Sequence, residues 1–280
     1  MPEFKTDTSA LSSAPSPMRR HRFVQATCLF SAIAHTAATL ICVYAFREGN
    51  FAQFSPAKLM QFVPEHMFLW RTSCLLVLLS SISTLVFILA MREVLEEKYR
   101  YLVGIAVCLS IVACGQDVEA IGRMMVLFGD IALQGYIRQD SVQLGWLLIN
   151  QSLTETFLMA NLLYGMAGLC IALCLTKTRV LPRTLAIAHL PVWSIMLLAS
   201  VSTFLGYLPI SIVLVFTSNL ALSVLSAFSG VAIDAMLPTH DPVAAKNNKS
   251  TESPATISAP EHVREPGSDE PSDMDNSGFF

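Results

Sequence analysis

Long apolar runs alternate with short polar breaks along most of this chain. Charged side chains are absent from residues 23–46, 72–91 and 156–176, and from 50 consecutive positions at 184–233. A helix rises 1.5 Å per residue, so roughly 20 apolar residues cross about 30 Å of hydrocarbon. The 50-residue run would make a rod about 75 Å long, which predicts two helices and a turn. Gly206-Tyr207-Leu208-Pro209 supplies the turn, since Gly ends helices and Pro starts them. The pattern predicts an all-α, polytopic transmembrane bundle with six spans at 23–46, 68–91, 101–127, 153–175, 184–205 and 207–233. Buried helices of a soluble protein would need a polar face, and these runs lack one.

The third span is the least apolar, because Asp117, Glu119 and Arg123 interrupt it. Loop charge decides in its favour. Short cytoplasmic loops are rich in Lys and Arg, and the basic groups fall in three places: Lys5, Arg19, Arg20 and Arg22; Arg92, Lys98 and Arg100; Lys177, Arg179 and Arg183. Six spans put all three groups on one side, with both termini cytoplasmic, whereas removing span three would export the last group. Two segments on the opposite side are expected to be short amphipathic helices. One opens at Ser55-Pro56 and the other at Asp140, which leads into Leu144, Trp146, Leu147 and Leu148.

Composition adds the flanks. Charged residues are only 14% of the 280 positions, against about a quarter in ordinary globular domains. Residues 1–22 read as a disordered basic arm. Residues 238–280 hold eight acidic side chains against Lys246, Lys249 and Arg264, with many Pro and Ser, and read as a disordered acidic cytoplasmic tail. The first apolar run follows 22 polar residues, is too long for a cleavable signal, and is expected to be a retained span. All seven cysteines fall inside predicted helices, which argues against a disulfide framework.

Polar groups within spans are expensive and therefore candidates for function. On helix three, Gln116, Glu119, Arg123 and Asp130 fall within about 60° of one another at 100° per residue, and Glu119 and Arg123 are i,i+4 neighbours. Asp117 lies beside this stripe. Counting from the flanks brings His35, Tyr44, His66, Arg71, Glu155 and Asn161 to the outer half at similar depth. His35, His66, Arg71, Gln116, Asp117, Glu119, Arg123, Glu155 and Asn161 are the candidate ligand or ion-pair residues, either a structural ion pair or the lining of a cavity open to the outside. His35 and His66 also raise a haem reading, because membrane haem needs axial histidines from facing helices. A lone helical His more often bonds a neighbouring helix, so no metal and no cofactor is expected.

No catalytic motif is present. Glu65-His66 lacks the second His of a zinc-protease helix, and Ser226–Gly230 makes no hydrolase elbow. Asn150-Gln151-Ser152 lies too near span four to be a good glycosylation acceptor. Gly168 and Ala172 have a spacing suited to close helix contact. The expected partners are the lipid bilayer, a small polar ligand or ion, and a protein partner or second copy; no basic patch points to nucleic acid. A binding, sensing or accessory membrane protein leads. A small-molecule or ion transporter is the alternative, and a membrane enzyme or haem-binding redox protein stands third.

Leu69-Trp70-Arg71 opening span two, Glu119 in span three, Leu162-Leu163-Tyr164-Gly165 in span four and Leu181-Pro182-Arg183 before span five follow one another in order. Over residues 20–237 they resemble a family of bacterial six-span membrane proteins with no assigned activity. The resemblance implies the bacterial cytoplasmic membrane and the six-span topology, and implies no chemistry.

Overall fold

The computed structural model describes residues 17–48, 56–95, 97–135 and 140–235, and these are helical apart from short connections. The elements are α1 (Pro17–Glu48), α2 (Pro56–Glu65), α3 (Met67–Val94), α4 (Arg100–Arg123), α5 (Gly129–Gly135), α6 (Asp140–Thr154), α7 (Asn161–Lys177), α8 (Arg183–Phe204) and α9 (Leu208–Ala235). A π turn, Met124–Phe128, joins α4 to α5, and a second, Glu155–Ala160, joins α6 to α7. Six segments are long and apolar enough to cross a membrane: Arg20–Ala45, Met67–Val94, Glu97–Gln134, Val142–Lys177, Arg183–Phe204 and Leu208–Ile233. The acidic tail and most of the basic arm lie outside the described residues.

Three boundaries differ from the expected ones. The first helix begins at Pro17 rather than residue 23, because Pro at a first helical position has its φ already set and no N–H to lose. The third continues to Gly135 instead of ending near 127. Asp140 starts no separate capping helix; α6 runs through the second π turn into α7, making one helix. Hydrophobic length cannot show such continuations, because half-polar turns carry a helix onward when neighbours bury them. The Pro56 segment is a separate short helix, as expected. The turn before α9 holds Gly206 at φ 82°, a conformation that costs a residue with a Cβ.

The long helices form a ring in chain order. α1 packs on α3, α3 on α4, α4 on α7, α7 on α8 and α8 on α9, and α9 returns to α1. Small residues set the spacing. A Cβ on Gly168 would stand 1.9 Å from the Trp193 ring, and one on Gly165 would stand 2.6 Å from Leu197. α7 and α8 therefore meet backbone to side chain. α1 and α9 are stitched by hydroxyls: Ser223 Oγ donates to the Ala32 carbonyl at 2.7 Å and lies 2.6 Å from Thr36 Oγ1.

The ring is apolar outside as well as in. Leu29, Ile33 and Leu40 of α1, Ile105 of α4, and Val213, Phe228 and Val231 of α9 all face outward. Arg20, Arg22, Arg92, Lys98, Arg100, Lys177, Arg179 and Arg183 gather at one end, on the start of α1 and the α3–α4 and α7–α8 turns. At the other end α2, α5 and α6 pack together as a cap.

Candidate functional site

Two hydrophobic clusters fill the ring from its ends. One holds Phe87, Ile88, Ile171, Leu175 and Trp193; the other holds Phe62, Trp70, Ile121, Phe128 and Phe157. Between them lies a cavity of about 110 Å³ to which all six long helices contribute. A water needs only ~10–15 Å³ by this kind of measure, so there is room for several waters or a molecule of a few heavy atoms.

α3 supplies the longest part of the wall. Trp70, Ser73, Cys74, Val77, Ser80, Ser81 and Thr84 recur at intervals of three and four, so one helical face looks inward. α1 adds His35, Thr39 and Cys42 on the same principle. Many of the hydroxyls bond a carbonyl three or four residues back, as Ser80 Oγ does with Val77 O at 2.7 Å.

Asp117 of α4 is 4% exposed and faces this space. Its Oδ2 accepts the Ser81 hydroxyl at 2.6 Å, while Oδ1 is buried without a partner. The Thr156 hydroxyl, in the second π turn, stands near the same carboxylate yet completes no hydrogen bond. Thr39 Oγ1 is likewise buried and unpartnered. Tyr164 Oη donates to the Ser81 carbonyl at 3.1 Å, holding the serine that holds Asp117. Among the described residues no cation pairs with Asp117.

His35, also in the wall, is self-contained. Its Nδ1–H donates to the Ser31 carbonyl at 2.8 Å. A carbonyl only accepts, so that nitrogen carries the proton and Nε2 is the acceptor in a neutral ring. The Thr84 hydroxyl meets Nε2 at 3.0 Å. His66 is elsewhere: exposed where α2 meets α3, stacked on Phe62 at 4.6 Å. His35 contacts Thr84, and 18 residues of helix separate Thr84 from His66, about 27 Å. The two histidines do not face one another, and the paired-ligand geometry for haem is not formed. Among the described residues no three His, Cys, Asp or Glu side chains converge as metal ligands.

The expected polar stripe on helix three is divided. Glu119 and Asp130 are exposed, Gln116 is half-buried, and none of the three lines the cavity. The first π turn is the reason for Asp130: one extra residue in the turn rotates everything after it by roughly 100°. Arg123 pairs across the ring with Glu155, and only loosely, at 3.9 Å, with Glu119. Gln151 Nε2 donates to Glu155 at 3.0 Å. This pair sits at the junctions where both π turns begin, one step from the wall residues Met124 and Thr156. Trp70 Nε1–H donates to the Met124 carbonyl at 3.0 Å, fastening the first π turn to α3. Arg71 and Tyr44 point outward. Asn161 is buried in the wall, its amide directed at the Phe157 carbonyl at 3.5 Å.

The structure thus brings His35, Asp117 and Asn161 to one cavity, with Arg123 and Glu155 just beyond it. Thr39, Ser81, Thr84, Thr156 and Tyr164 were not read from the sequence as site residues. The signal was the small-polar face of α3, whose period is 3.6 from Trp70 to Thr84. No protein-family model matches the chain, and no curated protein or solved structure is significantly similar to it. The resemblance to bacterial six-span proteins gains nothing from these comparisons.

Proposed function

We propose that this chain is a multi-pass membrane protein that binds a small ligand inside its helix ring, as a binding or sensing protein without chemistry of its own. The observation that carries the reading is the convergence of three buried, unpartnered oxygens, on Thr39, Asp117 and Thr156, on one cavity. Buried polar atoms are nearly always hydrogen-bonded, and each orphan costs about 1–3 kcal/mol. Three on one small space mark a place built to be filled. Mostly apolar walls with a few convergent polar groups are the usual make-up of a ligand site.

The apolar exterior supports insertion, since no soluble monomer leaves so much outward hydrocarbon uncovered. The cations gathered at one end support a cytoplasmic position for that end and for both termini. The cap of α2, α5 and α6 then lies outside. Location in a bacterial cytoplasmic membrane rests on the family resemblance alone.

A transport reading has its own observation. The Arg123–Glu155 pair joins two π turns beside the cavity, and such turns are frequent at functional sites. If the pair parts during a cycle, vesicles should accumulate ligand; a sensor would bind without uptake.

The test of binding is thermal unfolding of the detergent-solubilised chain against a panel of small cationic, neutral and anionic molecules. Binding predicts that at least one raises Tm in the natural chain and not in Cys74→Phe, whose ring fills the cavity from α3. A panel that moves neither protein would sink the reading.

A further inference from the structure

Resting on that reading, we infer that the ligand is a protonated primary amine carrying a short apolar chain. Charge comes first. Asp117 is the only carboxylate among the described lining residues, and no lysine or arginine lines the cavity. His35 is occupied on both ring nitrogens and supplies no counter-charge. A buried carboxylate without a partner is costly and is stabilised by a cation brought to it. An anionic ligand would meet that same carboxylate and be repelled.

Geometry narrows the cation. A primary ammonium has three N–H donors and no acceptor. The cavity offers three acceptors with no internal partner: Asp117 Oδ1, Thr39 Oγ1 and Thr156 Oγ1. They come from α1, α4 and the second π turn, so they approach from different sides of the ring. A quaternary ammonium would leave all three unsatisfied. A bare metal ion needs several oxygens to replace its water shell, and much of this wall is carbon: Val77, Ile121, Leu153, Met196 and Val215. That carbon suits an alkyl chain. Trp70 and Phe216 also line the cavity, and aromatic faces favour a cation near them. The volume of about 110 Å³ restricts the molecule to a few carbon atoms.

The experiment uses the full chain in lipid nanodiscs, titrated calorimetrically with propylamine, with propanol and propionate as neutral and anionic matches of similar size, and with tetramethylammonium. The expected result is binding of propylamine alone. Asp117→Asn should weaken it by at least about a hundredfold, and Thr39→Val and Thr156→Val each by roughly tenfold. Should Asp117→Asn fail to assemble, the Thr39→Val/Thr156→Val double variant carries the test through the remaining acceptors. Equal binding of propanol and propylamine, or amine affinity indifferent to all three positions, overturns the amine while leaving a ligand cavity standing. Failure of every probe overturns the amine, and the wider panel against Cys74→Phe then decides whether any ligand is taken.

Discussion

Ser81 donates its one proton to Asp117 at 2.6 Å and receives Tyr164 at its own carbonyl. A hydroxyl satisfies only one of the four or so lone-pair positions on a carboxylate, so the site is held in place without being saturated. Removing the hydroxyl leaves both carboxylate oxygens without a protein donor. Ser81→Ala is therefore expected to lower stability by about 1–3 kcal/mol, and in an Asp117→Asn background by clearly less. A denaturation double-mutant cycle measures the difference; equal losses in both backgrounds would separate Ser81 from Asp117. Gly168 makes a second case at this scale. A methyl there would meet the Trp193 ring carbon at 1.9 Å, and a fully buried indole has nowhere to swing. Gly168→Ala should cost about 1–3 kcal/mol by overpacking, whereas Gly104→Ala, with open space around it, should be neutral or slightly stabilising. Thermal midpoints of the two variants check this. Asp117 and Gly168 were visible as odd residues in an apolar context. Thr39 and Thr156 were not, because a lone Thr in such a helix normally bonds its own backbone, and only packing decides whether it does.

At the scale of elements the π turns matter most. Each adds a residue to its helix and so re-aims all that follows, and both lie where Arg123 meets Glu155. The sequence exposed half of this arrangement. Glu119 and Arg123 are correctly spaced as a helical pair, but Glu119 is two-thirds exposed, and the closer partner comes from a helix 32 residues away. Local spacing is blind to partners across a bundle, and nothing in the residue pattern announces a widened turn. The energetics separate the two acids. An exposed pair contributes about 0–1 kcal/mol, while removing one partner of a largely buried pair costs up to about 3–5 kcal/mol. Arg123 and Glu155 keep about a quarter of their side-chain surface, so a value below that upper range is expected. Glu155→Gln should destabilise several-fold more than Glu119→Gln in denaturant titrations. Comparable losses would make Glu119 the working partner.

For the molecule as a whole, the ring closes because neighbours in sequence are neighbours in space and α9 returns to α1. Hydrophobic length and loop charge made that six-helix plan legible, since each long run needs a turn and each turn carries or lacks cations. The cavity was not legible as a place, because its wall takes a few residues from every helix. Insertion and orientation can be read from thiols already present. Cys108 is exposed on the outer face of α4, while Cys28, Cys42, Cys74, Cys114 and Cys174 are buried and Cys170 is half-buried. It lies eight residues past Arg100, about 12 Å along the helix from the basic end. In a bilayer that depth is hydrocarbon, so Cys108 should react with a lipophilic maleimide and resist a charged one in intact membranes. Detergent should remove the difference. With Cys108 as the internal control, Glu65→Cys on the capped end should label with the charged reagent from outside intact cells, and Lys177→Cys only after the membrane is opened. The reverse order would invert the protein and turn its cavity toward the cytoplasm. Free reaction of Cys108 with the charged reagent in intact membranes would deny insertion altogether.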